Sequence, residues 1–271
     1  MARSNGGIVG TKNVTSKGGG GVGTFTSNGN HCTPATTRVV QTFFVAGGGG
    51  GRSNTYVGGG GSGGGIHDQD VVVCASTQYA IVVGGGGAKS PHAPPSAFGA
   101  AGTDGDVTTG FCKTALGGSG STPTSYGHGA DHPDGVYTSA AGDGGAGAGG
   151  DGAAGCCNAG GDGGDGAPST LSGGDVSYAG GGGAGSNTCH RACGTDGGSP
   201  GATKCAAAGC ATTNKGGGGG GMRSGYSCGS YRASSNGGPG IAFVKDLCKA
   251  SGMWNLKTHF SKVKEGFWPT P

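Results

Sequence analysis

Charge is the first thing this sequence is short of. Asp, Glu, Lys and Arg make up only 11% of its 271 residues, and the formal net charge is +3. No basic block, and no basic stretch interleaved with aromatics, is present, so the electrostatic footprint of a nucleic-acid binder is missing. Aromatics are equally scarce, at 6%. No apolar run approaches the length of a bilayer-spanning segment, and membrane insertion is not expected. The opening residues Met1-Ala2-Arg3-Ser4-Asn5-Gly6-Gly7 carry no hydrophobic region of signal-peptide type. The expectation is a protein made and kept in a cytoplasm until released by another route. Its eleven cysteines are then expected to be mostly thiols, with oxidation of some following if the protein works outside cells. Collagen is excluded as well, because no strict Gly-X-Y period runs through the chain and its prolines number only eleven.

What the sequence has is glycine, 73 residues of it. Each one costs about 0.5–1 kcal/mol more to order than alanine would. At 32% hydrophobic residues, a side-chain core offsets only part of that cost. Direct hydrogen bonding between bare backbones of polyproline-II shape supplies a second term. Such a helix has three residues per turn and no internal hydrogen bonds, so its amides and carbonyls point outward. Glycine alone lets neighbouring helices approach closely enough to bond, with Cα–H···O contacts adding second-order support.

The glycine runs follow apolar strands. Gln41-Thr42-Phe43-Phe44-Val45-Ala46 leads into Gly47–Gly51, Gln78-Tyr79-Ala80-Ile81-Val82-Val83 into Gly84–Gly87, and Asp175-Val176-Ser177-Tyr178-Ala179 into Gly180–Gly183. β-Branched and aromatic residues predict the first long strand over Thr37–Val45. Its imperfect alternation predicts cover on both faces. Val71–Cys74 and Tyr79–Val83 read as a strand pair joined by a hairpin through residues 75–78. Asn28-Gly29-Asn30 reads as a turn, and Gly240–Lys245 as a closing strand. Val40, Phe43, Phe44, Val45, Ile81, Val82, Val83, Ile241 and Phe243 are the predicted framework residues. Residues 88–174 dissolve into Gly, Ala, Asp, Ser and Pro, and read as a glycine-helix bundle or a long exposed loop system.

The end of the chain differs in character. Leu256, Phe260 and Val263 fall on one face of a short helix, with Asn255 as N-cap, Gly266 past the end and Pro269 blocking continuation. One short helix cannot bury that face together with Trp254 and Trp268, so Trp254, Leu256, Phe260, Val263 and Trp268 are predicted to dock on a partner or on their own domain. The expected organisation is an N-terminal arm over residues 1–21, a glycine-rich domain over 22–248 and a docking tail over 249–271. The fold class is mainly β. Short strands frame polyglycine-II helices and loops, and one short α-helix closes the chain.

Candidate chemistry is sparse. Cys189, Cys193, Cys205 and Cys210, with His190 among them, offer thiolates and an imidazole to zinc. They lack a tight Cys-x2-Cys pair, and small thiols are the preferred reading. His128, Asp131, His132 and Asp134 share one loop that suits a divalent ion, though a solvated turn is the simpler reading. Asp162-Gly163-Gly164-Asp165 does not fit the Gly-Gly-x-Gly-x-Asp calcium repeat, and no Walker-type phosphate loop is present. No Ser/His/Asp arrangement or carboxylate pair rises above composition, and glycine-flanked loops hold a catalytic constellation poorly. No metal, no cofactor and no enzymatic activity are expected.

The order of Thr37–Ala46, Tyr79–Gly87, Val176–Gly183 and Gly237–Val244 resembles the glycine-rich domain of tailed-bacteriophage virion proteins, of tail-fibre and adhesin type. The stretch Met253-Trp254-Asn255-Leu256 through Phe267-Trp268-Pro269 is similar to the Trp-Leu…Trp-Pro ending that follows such domains. The resemblance spans residues 22–269. It implies a non-enzymatic virion protein that joins other virion proteins, a trimer of like chains, and exposed loops that touch host-surface glycans. Head decoration is a further position it allows. The rivals are a non-viral extracellular filament or antifreeze-like protein using the same packing, and an RNA-associated glycine-rich protein, which the missing Arg-Gly-Gly clusters disfavour.

Overall fold

Val39–Val45 is the strand with the strongest sequence signal, and the structure builds inward on it. The computed structural model describes residues 21–35, 37–53, 57–91, 101–120, 142–156, 159–223 and 233–247. In chain order the strands are β1 Val22–Phe25, β2 Gly29–Cys32, β3 Val39–Val45, β4 Ile66–Val72, β5 Gln78–Val82, β6 Thr108–Gly110, β7 Lys113–Ala115, β8 Ala167–Ser169, β9 Val176–Tyr178 and β10 Ile241–Leu247. They form one antiparallel sheet in the order β1-β10-β3-β4, a second in the order β2-β5-β6-β7, and the β8-β9 hairpin. The class is mainly β, as the sequence predicts, and no helix occurs among the described residues.

Successive side chains on a strand point to opposite faces, and on β3 both faces are covered. Val40 and Phe44 join Ala242 and Val244 of β10, with Val71, Ile81, Phe111 and Ala115, between the two four-stranded sheets. Phe43 and Val45 join Ile241 and Phe243 on the other face, against Leu171, Tyr178 and Ala179 at the β8-β9 hairpin. The register places Phe43 opposite Phe243 and Phe44 opposite Ala242, so one large residue meets one small residue on the inter-sheet face. Phe43 packs edge-on to Tyr178 at 5.4 Å between centroids. Two cores on one strand account for its imperfect alternation.

Two readings of the sequence need correction. Val71–Cys74 and Tyr79–Val83 are not partners in a hairpin. The first strand runs Ile66–Val72 and pairs with β3, while Gln78–Val82 pairs with β2 and β6 in the opposite sheet. The connection crosses between sheets because Val71, Val73 and Ile81 all serve the same inter-sheet core. Asn28-Gly29-Asn30 is not a turn throughout, since Gly29 already begins β2. The predicted C-terminal helix and the docking residues Trp254, Leu256, Phe260, Val263 and Trp268 lie outside the described residues.

Beyond the sheets the glycine segments run side by side, and backbone hydrogen bonds join them in threes. The amides of Ala46, Gly49 and Arg52 donate to the carbonyls of Gly65, Ser62 and Gly59. Those of Gly47 and Gly50 donate to Asp106 and Thr103, and those of Gly48 and Gly51 to Gly238 and Ser235. Every third residue thus addresses the same neighbour, and each of these neighbours runs antiparallel. On the acceptor side Gly48 and Gly51 receive Gly87 and Ser90, Gly49 and Arg52 receive Gly219 and Met222, and Gly47 receives Gly118. Segment 46–52 is therefore bonded to chain on all sides, donating to three neighbouring segments and accepting from three others.

Segment 179–186 is enclosed in the same way. Gly181 and Ala184 donate to Gly164 and Gly161, Gly182 and Gly185 to Gly61 and Gly58, and Gly183 and Ser186 to Ser199 and Ala202. Close approach is what excludes side chains here. A Cβ built on Gly48 or Gly181 would sit nearer to the carbonyl oxygen of Gly217 or Gly145 than any real Cβ contact. Peripheral segments meet bonded neighbours on fewer sides and use glycine more sparingly. Gly102-Thr103-Asp104-Gly105 and Gly198-Ser199-Pro200-Gly201 keep glycine at every third position.

Candidate binding surface at the loop end

The direction of each segment decides where the loops gather. β3 leads into 46–52, which leaves the sheets. Residues 57–65 return antiparallel to it and enter β4. Segment 84–90 leaves after β5, and 101–106 returns to β6. Segments 179–186, 198–203 and 216–222 all run parallel to 46–52. Residues 187–191 and 204–208, which follow two of the outgoing segments, therefore lie at the end of the bundle opposite the strands.

Side chains at this end mostly tie loops to the bundle. Ser53 Oγ lies 2.6 Å from Ser90 Oγ and donates to the Pro91 carbonyl at 3.0 Å. The Asn236 side chain accepts from the Lys89 amide at 2.8 Å. Arg223, only 5% exposed, donates twice to Asn187 Oδ1, at 3.1 and 2.8 Å. The Arg191 guanidinium donates to the carbonyls of Gly201 and Ala207, at 3.1 and 2.9 Å. Asp143 is 6% exposed and accepts from the Gly155 amide through Oδ1 at 2.8 Å. Burial raises its carboxyl above the usual carboxylate range, and the bond from Gly155 opposes that rise.

Two concavities open here. A pocket of about 190 Å³ is lined by Lys89, Ser90, Pro91, Met222, Ala233 and Ser234. A groove of about 400 Å³ leads from Lys89 along the flank of the bundle, between residues 207–211 and 233–239, to Pro239 just before β10. Lys89, His190, Arg191 and Lys204 are exposed. The chemistry on offer is hydrogen bonding from hydroxyls, amides and cationic groups. That suits polyhydroxylated or anionic ligands.

The predicted framework residues fall on the sheets, apart from Val83, which lies just past the end of β5. Val40, Phe43, Phe44, Val45, Ile81, Ile241 and Phe243 are buried. Val83 is half-buried against the inter-sheet core, while Val82 is 42% exposed because it points away from the face that Ile81 occupies. On β4, His67 lies tilted over Phe44, with ring centroids 6.0 Å apart. Burial first, and then the Lys113 charge, hold its pKa below 6.5, with Asp68 opposing. His31 meets Asp246 at 3.2 Å.

Of the four cysteines weighed as metal ligands, Cys189 and Cys205 are brought together, with Sγ atoms 2.6 Å apart. No group of three or more His, Cys, Asp or Glu able to hold a metal ion occurs among the described residues, so Cys193 and Cys210 do not complete a site with them. His128, Asp131, His132 and Asp134 lie outside the described residues. The groove along the flank was not foreseen from the sequence.

A family described as glycine-rich domain matches residues 24–245. No curated protein matches the sequence at a significant level.

Proposed function

Because the chain belongs to the glycine-rich domain family, we propose that it is a non-enzymatic structural protein of a tailed-phage virion, of tail-fibre or adhesin type, whose loop end contacts the host surface. The observation that carries this reading is the polarity of the molecule. Strands and their side-chain cores stand at one end, the loops of residues 187–191 and 204–208 stand at the other, and a bundle cross-bonded by backbone amides separates them. Exposed loops on a stiff scaffold are where recognition residues are carried. The three-residue repeat of bonding partners supports polyglycine-II conformation for the glycine segments. The same reading makes Trp254, Leu256, Phe260, Val263 and Trp268 the docking tail for another virion protein. It also makes the assembly a trimer of like chains, by resemblance to the phage proteins.

Surface glycans are the ligand class that fits the hydroxyl, amide and cationic groups of the loop end. Detection of the chain in purified particles, together with binding of the full-length protein to host cells that periodate treatment of the surface glycans abolishes, is the expected result. A monomeric protein that is absent from particles and indifferent to the cell surface would overturn the proposal.

A further inference from the structure

We propose that Cys189 and Cys205 form a disulfide that fastens two neighbouring loops of the loop end. The two cysteines are 16 residues apart in sequence, and their Sγ atoms approach to 2.6 Å, against about 2.03–2.05 Å for the covalent bond. Both side chains are exposed, so an oxidant has access. Backbone hydrogen bonds hold the two cysteine-bearing stretches side by side. The Ser186 amide donates to the Ala202 carbonyl at 2.8 Å, and the Lys204 amide to the Thr188 carbonyl at 3.3 Å. The residues immediately before the two cysteines are thus bonded to each other.

A threonine pins each turn. Thr188 Oγ1 accepts from the His190 amide at 3.1 Å and lies 2.9 Å from Ser186 Oγ. Thr203 Oγ1 accepts from the amides of Cys205 and Ala206, at 3.2 and 3.0 Å. Outside the pair, Cys193 and Cys210 are also exposed. The geometry selects one pairing from among the cysteines that were weighed together on sequence spacing.

The step needs an oxidant, and a low-molecular-weight disulfide supplies it. One cysteine thiolate attacks that reagent, forming a mixed disulfide and expelling one small thiol. The second thiolate then attacks the cysteine sulfur, expelling the second small thiol. Two protein thiols are oxidised to one disulfide, and one small disulfide is reduced to two thiols. A reducing cytoplasm keeps the pair open and an oxidising exterior closes it. The bond therefore marks passage to the outside, as the proposed role requires, while its formation in vitro is independent of that role.

Arg191 and Lys204 lie between the two cysteines, which provides the test. Full-length protein is equilibrated with oxidised glutathione, its remaining thiols are alkylated, and it is nicked with trypsin. Expected is a fragment pair that stays joined on a non-reducing gel and separates on reduction, with mass spectrometry placing the link between Cys189 and Cys205. In Cys189→Ser the link is lost and Cys205 is alkylated. Alkylation of both cysteines in the oxidised wild-type protein, or a link from Cys189 to Cys193 or Cys210 instead, would overturn the assignment. Failure of the host-binding reading would leave this result unchanged.

Discussion

The sandwich and the glycine bundle are two answers to the same problem, keeping backbone polar groups paired while excluding water. In the sandwich, sheets held by ladder hydrogen bonds stand apart, and Phe44, Ile81, Phe111 and Val244 fill the space between them. In the bundle there is no such space. Gly48, Gly181 and Gly182 lie against the backbone of their neighbours, and the hydrogen bonds between segments are themselves the interior. The first region draws on burial of apolar area, worth about 25 cal/mol per Å². The second draws on satisfied amides, each worth about 1 kcal/mol net but costly when orphaned. The two regions should therefore fail under opposite kinds of substitution. The sandwich is sensitive to losing atoms and the bundle to gaining them.

The largest effect is expected for Gly181→Ala. The added methyl would force segment 179–186 away from segment 142–148 and orphan bonds on several sides, because the segment is bonded all round. Loss of about 5 kcal/mol or more is expected, beyond the usual range for one substitution, as failure to fold or collapse of the denaturant midpoint. Next comes Phe44→Ala, which empties the inter-sheet core at a fully buried position and should cost about 3–5 kcal/mol by urea unfolding. A milder outcome for Gly181→Ala than for Phe44→Ala would break the contrast between the regions.

The two regions should also respond oppositely to pH. His67 in the sandwich has a lowered folded pKa, so its contribution is full above 6.5 and is lost as pH falls through the lowered value. Asp143 in the bundle has a raised folded pKa. Its contribution is most favourable below the ordinary 3.8 and declines as pH rises through the raised value. Asp143→Asn keeps an acceptor for the Gly155 amide and removes the buried charge, so the variant should gain stability at neutral pH and lose that part of the pH dependence. Unfolding curves at neutral and acid pH read both. The smallest effect is expected for Gly150→Ala, where the nearest atom to an added Cβ is 3.7 Å away. Its unfolding midpoint should stay within about 0.5 kcal/mol of the parent. Destabilisation there as large as at Gly181 would show that glycine acts through conformation and not through close approach.

How far the sequence carries the fold follows from the same contrast. β3, β5 and β10 are legible because Val, Ile, Phe and Tyr cluster there. β4 begins earlier than its apolar residues suggest. Ile66-His67-Asp68-Gln69-Asp70 is a polar edge strand that exists because β3 offers it a ladder. The three-residue strands β6, β7 and β8 carry no pattern of their own and are set by pairing. Glycine runs announce close backbone packing but say nothing about which run lies beside which, since a residue without a side chain encodes no partner. For that reason the groove along the flank, and the meeting of Cys189 with Cys205, emerge only in three dimensions.

Native-state hydrogen exchange, resolved amide by amide, tests the central claim most directly. If bonds between segments form the interior of the bundle, the amides of residues 47–51 and 180–185 exchange only through global unfolding, as slowly as those of Phe43 and Phe44 in β3. Exchange of those glycine amides at the rate of a solvated chain, with β3 still protected, would contradict it.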